Sequence, residues 1–322
     1  MKNRTTTLTS TEQPKRKKES AKKLGTQLWK YRHIYMIMLP AIIWYIFFSY
    51  VPMAGLSLAF KNYKANLGIW GSPFVGLKNF NRVFQDTRFF DSLLITLKIN
   101  VGRLFVTFPF AILLALLLNE IRLKKSKKFL QAVFIFPHFL SWVVIASIVT
   151  NVLAYDGMVN SVVGLFGGSY VKFLGNSGFF TPLVYLTEIW KGAGWNSIIY
   201  MAAIAGIDME QYEAASIDGA GRLQQMLHIT LPSIVPTIVV MFVLASGNLM
   251  TKGFDQVFNL SNAAVRDVSQ TLDMYIYNVT FESVPNFGYS TALSLFRSVV
   301  NLLLLLIANK FSKKVSGTGL MA

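Results

Sequence analysis

Cysteine is missing altogether from the 322 residues, and histidine occurs three times, as His33, His138 and His228. A disulfide framework and a thiolate metal site are therefore excluded. With no His-x-x-x-His pair, no metal centre is expected. Acids are scarce, 15 Asp and Glu against 31 Lys and Arg. No Gly-x-x-x-x-Gly-Lys-Ser/Thr loop is present to cradle a phosphate, so the chain is not expected to bind or hydrolyse nucleotide itself. No Ser/His/Asp or Cys/His set stands out, and paired carboxylates would lack an aqueous cleft to work in. No catalytic residue is assigned, the chain is not expected to be an enzyme, and no separate aqueous binding domain is visible.

What the chain has in excess is apolar sequence: 53% hydrophobic residues, mean hydropathy +0.46, with a net charge of +16. Such composition implies that a bilayer supplies most of the burial. A positive balance also suits nucleic acid, but the cations sit in runs just outside the apolar segments, which favours a membrane and no nucleic-acid partner. Roughly 20 helical residues at about 1.5 Å each cross the hydrocarbon core. On that measure six spans are expected, at about 34–56, 94–118, 129–154, 182–207, 232–252 and 289–309. The fold class is an all-α integral membrane protein. Residues 1–33 read as a basic tail, 34–309 as one six-span domain, and 310–322 as a second short tail.

Charges inside the spans need partners or water. Lys98 and Arg103 either snorkel to the headgroups or serve a pathway. Glu188 and Lys191 share one helical face at i, i+3, which fits either a mutual salt bridge or a polar route. Arg297 pairs with an acid elsewhere or serves that route. Pro137 removes a backbone donor, so the third span is expected to bend there. His138 reads as a helix-packing residue or a polar contact.

Six spans place both termini on one side. That side, with the 119–128 and 208–230 loops, holds nineteen Lys and Arg, and the opposite loops hold seven. The positive-inside rule makes the first side cytoplasmic. The localisation expected is the cell membrane, multi-pass, with both termini inside.

The longest interruption of the apolar pattern is Tyr212 to Pro232. Asp208 is placed to cap a short helix from about Met209, with Gln211 three residues on to complete a capping box. Asp218-Gly219 ends that helix, and Arg222 to Ile229 starts a second short one. Glu213-Ala214-Ala215, Asp218-Gly219-Ala220 and Ile229-Thr230-Leu231-Pro232 together resemble the coupling-loop signature, the EAA motif, of permease subunits in type I ATP-binding-cassette importers. Phe136-Pro137-His138-Phe139-Leu140-Ser141-Trp142 and Gly253-Phe254-Asp255-Gln256-Val257-Phe258-Asn259-Leu260 are similar to the polysaccharide-type permeases of that class. The resemblance covers nearly all of the chain beyond residue 33.

It implies the type I importer permease fold, with residues 208–230 as a lever seated in a cleft of an ATPase subunit and Glu213 paired with a basic residue there. It also implies a second permease in a pseudo-symmetric heterodimer, two ATPase subunits that hold the ATP and magnesium, and an extracellular sugar-binding protein. No cofactor is expected on this chain. The substrate implied is a sugar, an oligosaccharide by its motifs. Candidate pathway residues are Glu188, Trp190, Lys191, Trp195, Asn196, Asn248, Asp255 and Gln256, since sugar rings need flat apolar faces and hydroxyl partners. For the tryptophans lipid or helix packing is the competing reading, and for Asn248, Asp255 and Gln256 loop structure. An importer of another substrate and an ion-gradient carrier remain as alternatives. A carrier would favour internal repeats and midplane ion sites, neither of which is evident.

Overall fold

The computed structural model describes residues 29–282 and 284–316. Most of the N-terminal tail and residues 317–322 of the C-terminal one lie outside the described residues. Among these residues the chain is helical, and its strand content is a single bridge between Lys61 and Phe74. It divides into two units, 1–57 and 58–322.

In the first unit α1, Arg32–Tyr45, runs through Pro40 and continues in a wider turn over Ile46–Tyr50. Along it Trp44 meets Phe48 with ring centres 5.2 Å apart.

The second unit is built on two long helices, α2 (Thr87–Asn119) and α3 (Ser177–Ala205), which form its most extensive helix contact. Each starts at a side-chain cap: Asp86 accepts from the Arg88 amide and Asn176 from the Gly178 amide. Such caps satisfy amides that have no partner in the first turn. Burial pushes the Asp86 carboxyl up, but hydrogen bonds from the Tyr275 and Tyr289 hydroxyls outweigh it and hold the group below its usual range. Ala111, Ala115 and Leu116 of α2 pack with Tyr200 and Ile204 of α3 and with Ile234 of α4, the helix Arg222–Ser246. A last helix, α5 (Phe287–Ser316), contributes Tyr289, Ala292 and Leu293 to a separate core with Phe89, Leu272 and Tyr275.

Among the described residues four helices are long and apolar enough to span a membrane: Arg32–Phe60, Thr87–Asn119, Arg222–Ser246 and Phe287–Lys314. A fifth is reached if Lys124–Phe139 and Trp142–Val152 count as one broken span. The fourth expected span, 182–207, coincides with α3, which has the length at 29 residues. Its Glu188, Lys191 and small polar positions dilute its hydropathy, which keeps it out of that set. Six is therefore not the count that length and composition alone return.

The third expected span does bend, and more sharply than one proline requires. Its two halves meet at 100°. Phe136–Phe139 tightens to a 3-10 turn, Leu140 and Ser141 are extended, and the Ser141 hydroxyl caps the second half at the Val144 amide. Broken backbone at membrane depth needs replacement partners for its freed carbonyls. Lys191 provides them: its ammonium donates to the carbonyls of His138, at 2.8 Å, and Leu140. Lys191→Met is expected to destabilise the fold by about 2–3 kcal/mol, because two polar groups lose a charged donor. Thermal unfolding of the purified protein measures this, and an unchanged midpoint would show that water replaces the ammonium.

Candidate functional site

The elbow at 208–230 begins as expected and ends differently. Asp208 caps the helix Met209–Ile217, accepting from the Glu210 amide at 3.0 Å. Gln211 does not complete a capping box. A bond of that kind forms at the start of the next helical stretch, where the Gly221 amide donates to the Gln224 side chain at 2.8 Å. Gly219 has φ +80°, a left-handed conformation that closes the turn and that side chains resist.

Beyond it there is no second short helix. Arg222–Gln225 continues through a wide π turn, Met226–Thr230, into Leu231–Ser246 as one element. Pro232 lacks an amide and so cannot close an ordinary turn onto His228, which favours the wider winding just before it. The elbow is thus a short helix fixed directly to the base of a span. Tyr212 and Thr230 hydroxyls bond at 2.8 Å across it, Gln225 donates to Ser216 at 2.9 Å, and Arg222 reaches the Glu120 carboxylate at 3.8 Å.

Glu213, Ala214, Asp218 and Gly219 are exposed, and Ala215 and Ala220 are half-buried. Among the described residues no hydrogen bond or ion pair holds the Glu213 carboxylate within the chain. Ile217 at the helix end is 87% exposed. Ala215, Asp218, Gly219 and Ala220 face Gln224 and His228 across an open hollow.

A second feature lies between α2, α3 and α4: a cavity of about 260 Å³. Phe108, Tyr200 and Leu244 supply apolar wall, and Asn100, Asn196 and Asn248 supply amides. Arg103 and Lys252 are its charged lining. Asn196 and Asn248, among the pathway candidates, meet here. Glu188 sits behind, 2.7 Å from the Lys252 ammonium. Gln256 is fully buried, accepts from Arg103, and donates to the Val184 carbonyl and the Thr187 hydroxyl at 2.7 and 2.8 Å. Glu188 and Gln256 therefore support the wall.

The remaining candidates do not line the cavity. Lys191 ties down the broken helix. Trp195 stacks on His138 with ring centres 4.3 Å apart and planes 2° from parallel. Trp190 and Asp255 are exposed.

Of the two readings that local spacing left open for Glu188 and Lys191, the mutual salt bridge does not form. Glu188 and Lys191 share a face, yet Glu188 pairs with Lys252 and Lys191 with carbonyls. Arg103, expected either at the headgroups or in a pathway, is 3% exposed and bonds to Asn100 at 2.5 Å and to the Lys252 carbonyl at 3.0 Å. Arg297 pairs with Asp273. Asn100 and Tyr200 were missed as lining. Asn100 lies three residues before Arg103 in an apolar helix, and that spacing was the available signal.

Residues 108–317 match the family described as the inner membrane component of binding-protein-dependent transport systems. The chain belongs to that family. It is 44% identical to the polygalacturonan/rhamnogalacturonan transport system permease protein YteP of Bacillus subtilis, over 94% of this chain and 95% of that one. Protein LplB of the same organism is 38% identical over 89% of this chain and 90% of its own. Among solved structures, a bacterial ATP-binding-cassette transporter involved in import of the acidic polysaccharide alginate superposes with a TM-score of 0.85. It is 34% identical and covers 91% of this chain and 99% of its own. The importer-permease assignment made from the motifs holds, as does its all-α membrane fold. The ion-gradient carrier is set aside by the family.

Proposed function

We propose that this chain is one half of the transmembrane pathway of an ATP-driven importer that carries an oligosaccharide into the cytoplasm. The observation that carries the reading is the elbow: an exposed short helix joined by a glycine turn to a second element, Arg222–Ser246, that runs unbroken into a span lining the cavity. Motion applied to Ile217 or Glu213 reaches Asn248 and Lys252 through the glycine turn, the helix Arg222–Ser246 and the turn that follows it. Two ATPase subunits, each binding ATP and magnesium, close against such elbows. A second permease subunit completes the pathway as a pseudo-symmetric partner. An external binding protein delivers the sugar and favours one of two alternating states. One crystal structure with a TM-score of 0.84 is of an alginate transporter in complex with an alginate pentasaccharide-bound periplasmic protein, which supports that partner. Both termini lie in the cytoplasm, on the side with the greater number of basic residues. This chain itself carries out no chemistry.

The absence of native cysteine makes the test direct. A single Ile217→Cys variant in the assembled complex is expected to cross-link to the ATPase subunit and to resist impermeant thiol reagents added outside the cell. Labelling from outside, or no cross-link to the ATPase, would overturn the reading.

A further inference from the structure

The charges around the cavity do not balance. One acid, Glu188, stands against the cavity wall. Lys252 is its contact partner. Arg103 is buried and donates its hydrogen bonds to neutral acceptors: the Asn100 Oδ1, the Lys252 carbonyl and the Gln256 Oε1. Its Nε has no hydrogen-bond partner. A cation held out of water without a contacting carboxylate is costly, and its field extends into whatever space adjoins it. Here that space is the cavity, whose charged lining is Arg103 and Lys252. The Lys252 side chain is 45% exposed, so it retains access to the cavity while paired.

We propose that the cavity selects saccharides bearing carboxylates, with Lys252 as the specificity residue. As an acidic sugar enters, Lys252 turns from Glu188 to the sugar carboxylate, and Arg103 behind it keeps the local potential positive. Asn196 and Asn248 serve the hydroxyls, and Phe108, half-buried beside Tyr200, offers a ring face. A neutral sugar finds the same hydroxyl partners but gains nothing from the cationic wall. This rests on the saccharide-importer reading and adds the charge of the cargo. Exchange of one carboxylate for another suits transit, since the ammonium is never left alone in the low-dielectric wall.

The test is binding of radiolabelled trigalacturonate, an alginate trisaccharide and their methyl esters to the assembled complex in nanodiscs, without the external binding protein. The esters keep the ring skeleton and remove the charge. The wild-type complex is expected to bind the acids at least about tenfold more tightly than the esters. Lys252→Gln is expected to collapse that preference and Lys252→Arg to retain it. Glu188→Gln, which frees the ammonium, is expected to increase it. Equal binding of acids and esters by the wild type would overturn the inference while leaving the saccharide reading intact. So would an unchanged preference in a Lys252→Gln complex that elutes as an assembled particle. If none of the four ligands binds, the saccharide reading falls and this inference with it.

Discussion

Glu213→Ala is expected to reduce uptake by the assembled importer by about 100-fold while leaving the chain folded. The carboxylate has no partner inside the described chain, so removing it costs the fold little. An exposed substitution of this kind stays within about 0.5 kcal/mol. Against a partner, the balance changes. Truncating one member of a buried, hydrogen-bonded charge pair at an interface costs about 2–5 kcal/mol, much of it from the basic group left unpaired. A loss of about 2.7 kcal/mol corresponds to about two powers of ten in affinity. The measurement is saccharide uptake into proteoliposomes alongside co-purification of the ATPase. Full uptake with normal assembly would show that the elbow transmits nothing through Glu213. Glu213→Asp, which keeps the charge but shortens the reach, is expected to fall between the two.

The second large effect is expected at Gly253. Its φ of +95° lies in the left-handed region, and it begins the helix Phe254–Leu260. A Cβ there would stand 2.1 Å from one terminal nitrogen of Arg103 and 2.6 Å from the guanidinium carbon. The backbone strain alone costs about 1–3 kcal/mol for a residue with a side chain. The collision adds to it, because Arg103 is held in place by Asn100, Gln256 and the Lys252 carbonyl. Displacing it leaves those buried groups unpaired at about 1–3 kcal/mol. Gly253→Ala should therefore destabilise the protein by about 2–5 kcal/mol and abolish uptake, since Lys252 and the cavity wall move with the turn. Gly253→Asn, which tolerates the dihedral better but still carries a Cβ, should recover little. A wild-type thermal midpoint for Gly253→Ala would show that the guanidinium swings aside freely.

Much of this was legible along the chain. The apolar runs, their flanking cations and the small-residue elbow are local patterns, and each depends on neighbours within a few turns. The start of the elbow helix at Met209 and its stop at Gly219 followed from one capping acid and one glycine. The continuation of the stretch from Arg222 into the span did not, because winding through Met226–Thr230 depends on the missing amide of Pro232 two residues later. The pairing within the wall was not legible either. Glu188 and Lys191 lie three residues apart on one face, and nothing local shows that a lysine more than sixty positions on stands closer. Trp195 read as a ring platform from its neighbours Trp190 and Asn196, and nothing local showed that one of its faces is covered by His138 from the broken helix.

By itself the sequence determined that this is a cysteine-free, helical membrane protein with a transporter's elbow and no nucleotide-binding loop of its own. Hydrophobic length and motif chemistry are properties of contiguous residues. Only the tertiary structure decided that Lys252 meets Glu188, that Arg103 turns inward, and that Asn100, Asn196 and Asn248 share one cavity. In a medium without water, a buried charge is settled by whichever partner packing brings within reach, and packing joins residues that the chain keeps far apart.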